Sequence, residues 1–248
     1  VGAFLSHFSI YPQILIAILS ASLIAAGGNA LNDYFDYKTD RIKKPHRQIP
    51  SVKVRREDVL IFSLVLLIIG FVLSFLLNIY TISLALINIV VIFGYNALLK
   101  RFPLLGNFGP SWLAASSFVY GGLLTQSLNQ VIVLLFAMSF LANTGREIAK
   151  SLEDVAGDAR TGVRTLPVVS GKNFSVLAAI IFILLAIGFS ILPYVFNLLN
   201  AFYITFVLLA DLIFIISLVY LDKSVERSQR FMKIAMFLSI FAFFVGAL

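Results

Sequence analysis

The sequence predicts an all-α fold: a multi-pass bundle of transmembrane helices. Three observations predict the membrane bundle. Of the 248 residues, 60% are hydrophobic and only 12% are charged, about half the charged share of a soluble domain. The apolar residues gather into repeated runs of about 20, long enough to cross a hydrocarbon core as helix. Alternating segments of about ten residues, the mark of a transmembrane β-barrel, are absent. The whole chain, residues 1–248, reads as one transmembrane domain.

Taken in order, residues 1–11 are apolar but too short to span, and they read as the tail of a truncated first helix. Pro12 precedes a span at 13–36. Spans 57–77 and 79–98 are divided at Asn78. Pro103 and Gly106 precede 108–127, and Asn129 precedes 130–152. Pro193 and Asn197 separate 174–192 from 199–221, and 230–248 closes the chain. These breakers are the residues that end helices. The total is about nine helices. No basic leader or small-residue cleavage site marks a signal peptide.

The net charge of +7 is informative only once it is located. Lys and Arg fall at 38–56, 100–101, 146–172 and 223–233, which accounts for all 19. These stretches follow every second helix, so they share one face, and the positive-inside rule assigns that face to the cytoplasm. A plasma-membrane protein with its charged loops in the cytoplasm is the expectation. The basic balance therefore reflects topology and does not imply nucleic acid. There is no Cys, and His7 and His46 are too few for a histidine metal cluster. Nothing implies an obligate protein partner. Eleven of the twelve acids lie on or near the basic face. Asp211 alone sits deep in a span. It reads as a bundle-facing, hydrogen-bonded carboxyl, or alternatively as an ion or proton site of a transporter.

Two stretches carry the chemistry. The first runs from Asn29 to Pro50, NALNDYFDYKTDRIKKPHRQIP. Asn32, Asp36 and Asp40 are spaced four apart, so on a helix they share one face. Their oxygens are the ligands that Mg²⁺ prefers. Arg41, Lys43, Lys44 and Arg47 follow at once. The second runs from Arg146 to Pro167, where Arg146, Lys150, Asp154 and Asp158 again step by four along one expected helical ribbon. Gly157 and Gly162 are expected to let the chain turn after it. Carboxylates converging in one cavity repel one another. Mg²⁺ removes that penalty and fills its open positions with phosphate oxygens. Acid to hold a metal beside base to hold an anion suits a diphosphate that leaves an allylic carbon. DxxxD pairs at helix ends also occur as solvated juxtamembrane charge, and two matching pairs on one face favour the metal reading. Lys53, Arg55, Arg56, Lys223, Arg227 and Arg230 are explained by topology alone. Lys100, with Tyr95 and Asn96 one turn before it, either faces the site or serves topology. Trp112 and most Phe residues are expected in the core or against lipid.

At these residues the chain resembles the UbiA superfamily of intramembrane prenyltransferases. The family's NDxxDxxxD motif stands as Asn32, Asp33, Asp36 and Asp40, and the Pro-x-Arg-x-Ile-Pro element as Pro45 to Pro50. The second DxxxD runs from Asp154 to Asp158, and a Tyr/Asn/Lys element is matched by Tyr95, Asn96 and Lys100. Gln48 and Val52 depart from the family's usual Pro and Gly. The resemblance implies nine helices around a central cavity and Mg²⁺ as cofactor, held by Asn32, Asp36, Asp40, Asp154 and Asp158. It implies a prenyl diphosphate held by Arg47, Lys100 and Arg164, with Lys44 a further candidate. The REIAKSLEDVAGD run is most similar to archaeal members that move a geranylgeranyl group onto the hydroxyl of a geranylgeranylglyceryl phosphate. Arg146 and Lys150 then suit the phosphate of that lipid acceptor. An aromatic acceptor is the alternative within the family. Capture of a full allylic cation needs little base, so no catalytic dyad is expected.

Overall fold

The computed structural model describes residues 1–6, 11–43, 54–126, 128–153, 155–160 and 162–248. They form helices α1 (Gly2–Leu5), α2 (Tyr11–Lys43), α3 (Arg56–Ser74), α4 (Ile79–Ala97), α5 (Leu105–Gly122) and α6 (Gln130–Ser151). The chain continues through α7 (Val155–Arg160), α8 (Leu166–Ser170), α9 (Lys172–Ser190), α10 (Leu192–Val195), α11 (Ala201–Tyr220) and α12 (Val225–Gly246). Among the described residues there is no strand.

Seven helices are long and apolar enough to cross a membrane: α2, α3, α4, α6, α11, α12 and α9 continued into α10. The eighth long helix, α5, carries Asn107, Pro110, three Ser and four Gly, because one of its faces lines a cavity. Nine spans are thus not what the described residues present. Between 22% and 39% of each candidate span is buried in protein, so most apolar surface is left for lipid. Such helices are apolar all round and show little amphipathic contrast.

The helix boundaries follow local chemistry. Asn78 starts α4 with a reciprocal cap: its side chain accepts from Tyr80 N and Thr81 N, and Thr81 Oγ1 accepts from Asn78 N. This satisfies amides that would otherwise be orphaned at the helix start. Asn129 caps α6 through Ile132 N at 2.9 Å, and its amide donates to Leu5 O at 2.7 Å. Asn200, rather than Asn197, caps α11 by accepting from Phe202 N. Asn197 instead takes a left-handed turn at φ 53°.

Three further expectations change. Helix α2 does not stop at residue 36 but runs to Lys43. The charges end the apolar span, not the helix. Pro12 lies in its first turn, where a missing N–H costs nothing. The expected ribbon from Arg146 to Asp158 is broken after Ser151: Leu152 N and Glu153 N bond back to Ala149 O and Lys150 O in a tightened last turn. Gln229 of α12 donates to Glu153 at 3.0 Å, next to the break. Gly157 lies inside α7, and Gly162, at φ 72°, makes the turn.

The first half packs α2, α3, α4 and α5 around Ile24, Leu31, Leu67, Ile92 and Tyr120. The second packs α6, α9, α11 and α12 around Ile148, Ile183, Phe214 and Met232. The α5–α6 pair joins the halves. Helices α2 and α3 approach closely. Ser20 Oγ donates to Gly70 O at 2.7 Å, and Ser63 Oγ donates to Gly27 O at 2.8 Å. A Cβ at Gly70 would stand 2.9 Å from Ser20 O, so only glycine permits this small-residue contact. Gly70→Leu is expected to destabilise the protein by about 1–3 kcal/mol, read as a lower melting temperature in detergent. An unchanged melting temperature would contradict the packing argument.

Candidate active site

A cavity of about 550 Å³ opens between α2, α4, α5 and α6. Its charged end is lined by Asn29, Asn32, Tyr95, Asn96, Arg146, Glu147 and Lys150. Ala21, Ile24, Ile92, Leu113 and Ala114 line its depth. A polar mouth over an apolar floor suits an amphiphile with an anionic head.

Because α2 continues past the membrane span, Asn32, Asp36 and Asp40 do share one face of it. Asn32 donates its amide to Asn96 Oδ1 at 3.0 Å, and the buried Asn96 donates its own amide to Ile92 O at 2.9 Å. This chain of donors leaves Asn32 its carbonyl oxygen. Asp36 Oδ1 meets Lys100 Nζ at 2.5 Å. Lys100 stands on the short turn Leu99–Arg101, with Nζ 5.5 Å from the centre of the Phe35 ring. Lys100 therefore faces the first acid ladder, though it does not line the cavity. Tyr95 packs flat on α5, where a Cβ at Gly109 would stand 2.7 Å from its ring. Asp40 is buried at 8% exposure.

The second acid group is built differently. Asp158 sits on α7, buried to the same degree, and its Oδ2 accepts from Thr165 Oγ1 at 3.1 Å. Its main-chain oxygen accepts from Val163 N at 3.0 Å, so the turn through Gly162 fastens the loop beneath it. Across the cavity mouth, Glu147 meets Lys150 Nζ at 3.2 Å and Arg146 Nη1 at 3.4 Å. Arg146 Nε is buried with no hydrogen-bond partner, which leaves this cation group unsaturated.

Of the residues expected from sequence, the structure brings Asn32, Tyr95, Asn96, Arg146 and Lys150 to one cavity and puts Lys100 on Asp36. Arg164 is exposed and does not line the cavity. Lys44, Arg47 and Asp154 lie outside the described residues. Among the described residues no three acidic or histidine side chains cluster closely enough to hold a metal. The donor set nonetheless suits Mg²⁺. Asn32, Asp36, Asp40 and Asp158 offer oxygen ligands, the type Mg²⁺ prefers.

Arg56 has more than a topological role. It donates to Tyr34 O at 3.2 Å and lies 4.1 Å over the Tyr34 ring, which ties α3 to the acid-bearing end of α2. Asp211 is buried and accepts from Ser190 Oγ at 2.7 Å, as a bundle-facing carboxyl should. Two residues were missed. Asn88 lines the cavity, and its Oδ1 accepts from Trp112 Nε1 at 3.0 Å and Ser116 Oγ at 3.1 Å. An indole N–H can only donate, so the Asn88 amide nitrogen is turned away from it. Glu147 orients the two cations. The signal for Asn88 was a polar residue at mid-span. Trp112, also packed on Phe136, belongs to the wall behind it.

The model of the UbiA prenyltransferase family matches residues 1–241. Digeranylgeranylglyceryl phosphate synthase of Methanococcus aeolicus is 35% identical over 98% of this chain and 88% of its own. The enzyme of that name from Methanococcoides burtonii is 37% identical over 95% and 88%. A solved structure from work on digeranylgeranylglyceryl phosphate synthase in membranes superposes with a TM-score of 0.81 at 34% identity, over 99% of this chain and 91% of that one. A UbiA homologue from Archaeoglobus fulgidus bound to GPP and Mg²⁺ shares the fold, with a TM-score of 0.72 at 13% identity over 99% and 92%. With its family model matched nearly end to end and these relatives aligned along almost their whole length, the chain belongs to the UbiA prenyltransferase family.

Proposed function

We propose that this protein transfers a geranylgeranyl group from geranylgeranyl diphosphate to the free hydroxyl of geranylgeranylglyceryl phosphate, forming the second ether bond of an archaeal lipid. The observation that carries this reading is the cavity mouth. It places the end of an oxygen-rich ladder at Asn32 on one wall and a separate cation group, Arg146 and Lys150, on another. Two anionic heads need two receptors. An aromatic acceptor would leave the second group without a phosphate. The names of the relatives from Methanococcus aeolicus and Methanococcoides burtonii support the same acceptor.

In this reading Asn32, Asp36, Asp40, Asp154 and Asp158 hold Mg²⁺, which neutralises the diphosphate as a leaving group. Lys100 reaches the diphosphate from Asp36, and Lys44 and Arg47 close the charge balance from the first loop. The C1–oxygen bond breaks, and its electron pair leaves with the diphosphate. Tyr95 and the apolar floor enclose the allylic cation and exclude water. The acceptor hydroxyl oxygen bonds to C1, and the acidic oxonium so formed releases its proton to the departing diphosphate. The site faces the cytoplasm, by the charge of its loops, and the membrane is the plasma membrane.

The test offers geranylgeranyl diphosphate with each acceptor in turn to the purified protein. Product is expected with geranylgeranylglyceryl phosphate and none with a hydroxybenzoate, and the opposite pattern would overturn the acceptor assignment. EDTA is expected to stop turnover and added Mg²⁺ to restore it. Full activity in EDTA would remove the metal from the reading. A transporter would depend on Asp211, whereas an enzyme of this kind loses far more on Asp154→Asn.

A further inference from the structure

Two geranylgeranyl chains must be accommodated if the proposed reaction holds, and this inference rests on that reading. The main cavity, about 550 Å³, lies within the range that encloses one drug-sized ligand. A second chamber of about 230 Å³ lies between α5, α6, α9, α11 and α12, and Ala114 of α5 lines both spaces. Its wall is mostly apolar, with Leu135, Met138, Phe214, Met236, Ile240 and Phe243. The polar groups there are already engaged. Asn143 donates to Ser139 O and Oγ, Ser239 donates to Ala235 O, and Asp211 accepts from Ser190. A wall that is mostly apolar, with its polar groups bonded to their own helices or to a neighbour, suits a hydrocarbon chain.

The two helices that carry the head-group residues point to which chain. On α2, Asn32 is followed down the cavity by Asn29, Gly28, Ala25 and Ala21. On α6, Lys150 and Arg146 are followed by Asn143, Ser139 and Leu135, which enter the second chamber. From Arg146 to Leu135 the helix descends about 16 Å, at 1.5 Å per residue. A molecule whose phosphate rests on Arg146 and Lys150 has its tail guided along α6. One whose diphosphate rests on the α2 ladder has its tail guided along α2. We propose that the second chamber holds the far end of the isoprenoid tail of the phosphorylated acceptor, while the donor's chain fills the main cavity. Ala114 of α5 is where the two spaces adjoin.

Ser239 lines the second chamber and not the first, so Ser239→Phe fills it selectively. KM is measured for geranylgeranylglyceryl phosphate, for the same ether bearing a single dimethylallyl unit, and for geranylgeranyl diphosphate. The ratio of the two acceptor KM values, long over short, is expected to rise roughly tenfold or more, the scale on which apolar pockets discriminate chain size. An unshifted ratio overturns the assignment, and so does a rise in KM for the diphosphate instead. Where the variant does not fold, the wild-type protein decides. An acceptor carrying a diazirine at the far end of its tail is expected to label Met236, Ile240 or Phe243 on irradiation. Labelling at Ala21, Ile24 or Leu113 overturns the proposal. If wild-type protein uses neither glyceryl phosphate ether, the acceptor reading falls and this one with it. Activity with both ethers and an unshifted ratio removes the chamber assignment alone.

Discussion

Asp158→Asn is expected to reduce turnover by about a hundredfold to a thousandfold, the equivalent of roughly 3–4 kcal/mol of lost transition-state stabilisation. The change keeps the shape of the side chain, and Asn can still accept from Thr165, whose hydroxyl lies 3.1 Å from Asp158 Oδ2. Folding should therefore survive, and the melting temperature in detergent supplies the control. What disappears is one negative charge at a buried position. A carboxylate that serves only as solvated juxtamembrane charge would be missed little. One that binds metal shifts the concentration of Mg²⁺ needed for half-maximal rate upward, and excess Mg²⁺ recovers part of the loss. Turnover within threefold of wild type, with an unaltered Mg²⁺ requirement, would dismiss Asp158 from the metal site.

Lys100→Gln is expected to raise KM for the diphosphate donor by about tenfold to a hundredfold, the worth of a hydrogen bond to a charged group at roughly 1.5–3 kcal/mol. Lys100 Nζ lies 2.5 Å from Asp36 Oδ1, with both side chains partly exposed. Solvent moderates that pair, so the larger part of the effect comes from the substrate. The acceptor KM should move little, because its proposed receptor is on α6. The Mg²⁺ requirement should also stay close to wild type. These two variants therefore differ in kind: one alters the response to metal, the other the affinity for diphosphate. An unchanged donor KM in Lys100→Gln would dismiss Lys100 from the diphosphate site.

Much of this site was legible in the chain. Asn32, Asp36 and Asp40 share a face because helical spacing dictates it wherever the helix persists, and it persists to Lys43. Asn78 and Asn129 were visible as breaks because their side chains cap the following helices. The interruption between α6 and α7 was not legible. The run from Lys150 to Asp158 has no proline to mark a stop, and the place of the break, beside the contact between Gln229 and Glu153, is not set by spacing along the chain. Asn88 and Trp112 meet only because α4 and α5 face one another, and spacing along the chain does not report that. Glu147 was visible as an acid but not as the residue that orients Arg146 and Lys150.

Helix α5 has a consequence for how the protein is made. It is the long helix that falls outside the set apolar enough to cross a membrane. An insertion machinery that weighs segments singly finds the same deficit in it. Trp112 and Ser116 of α5 find their partner in Asn88 of α4, which emerges from the ribosome first. Retention of α5 in the bilayer is then expected to depend on its hairpin with α4 more than on the segment alone.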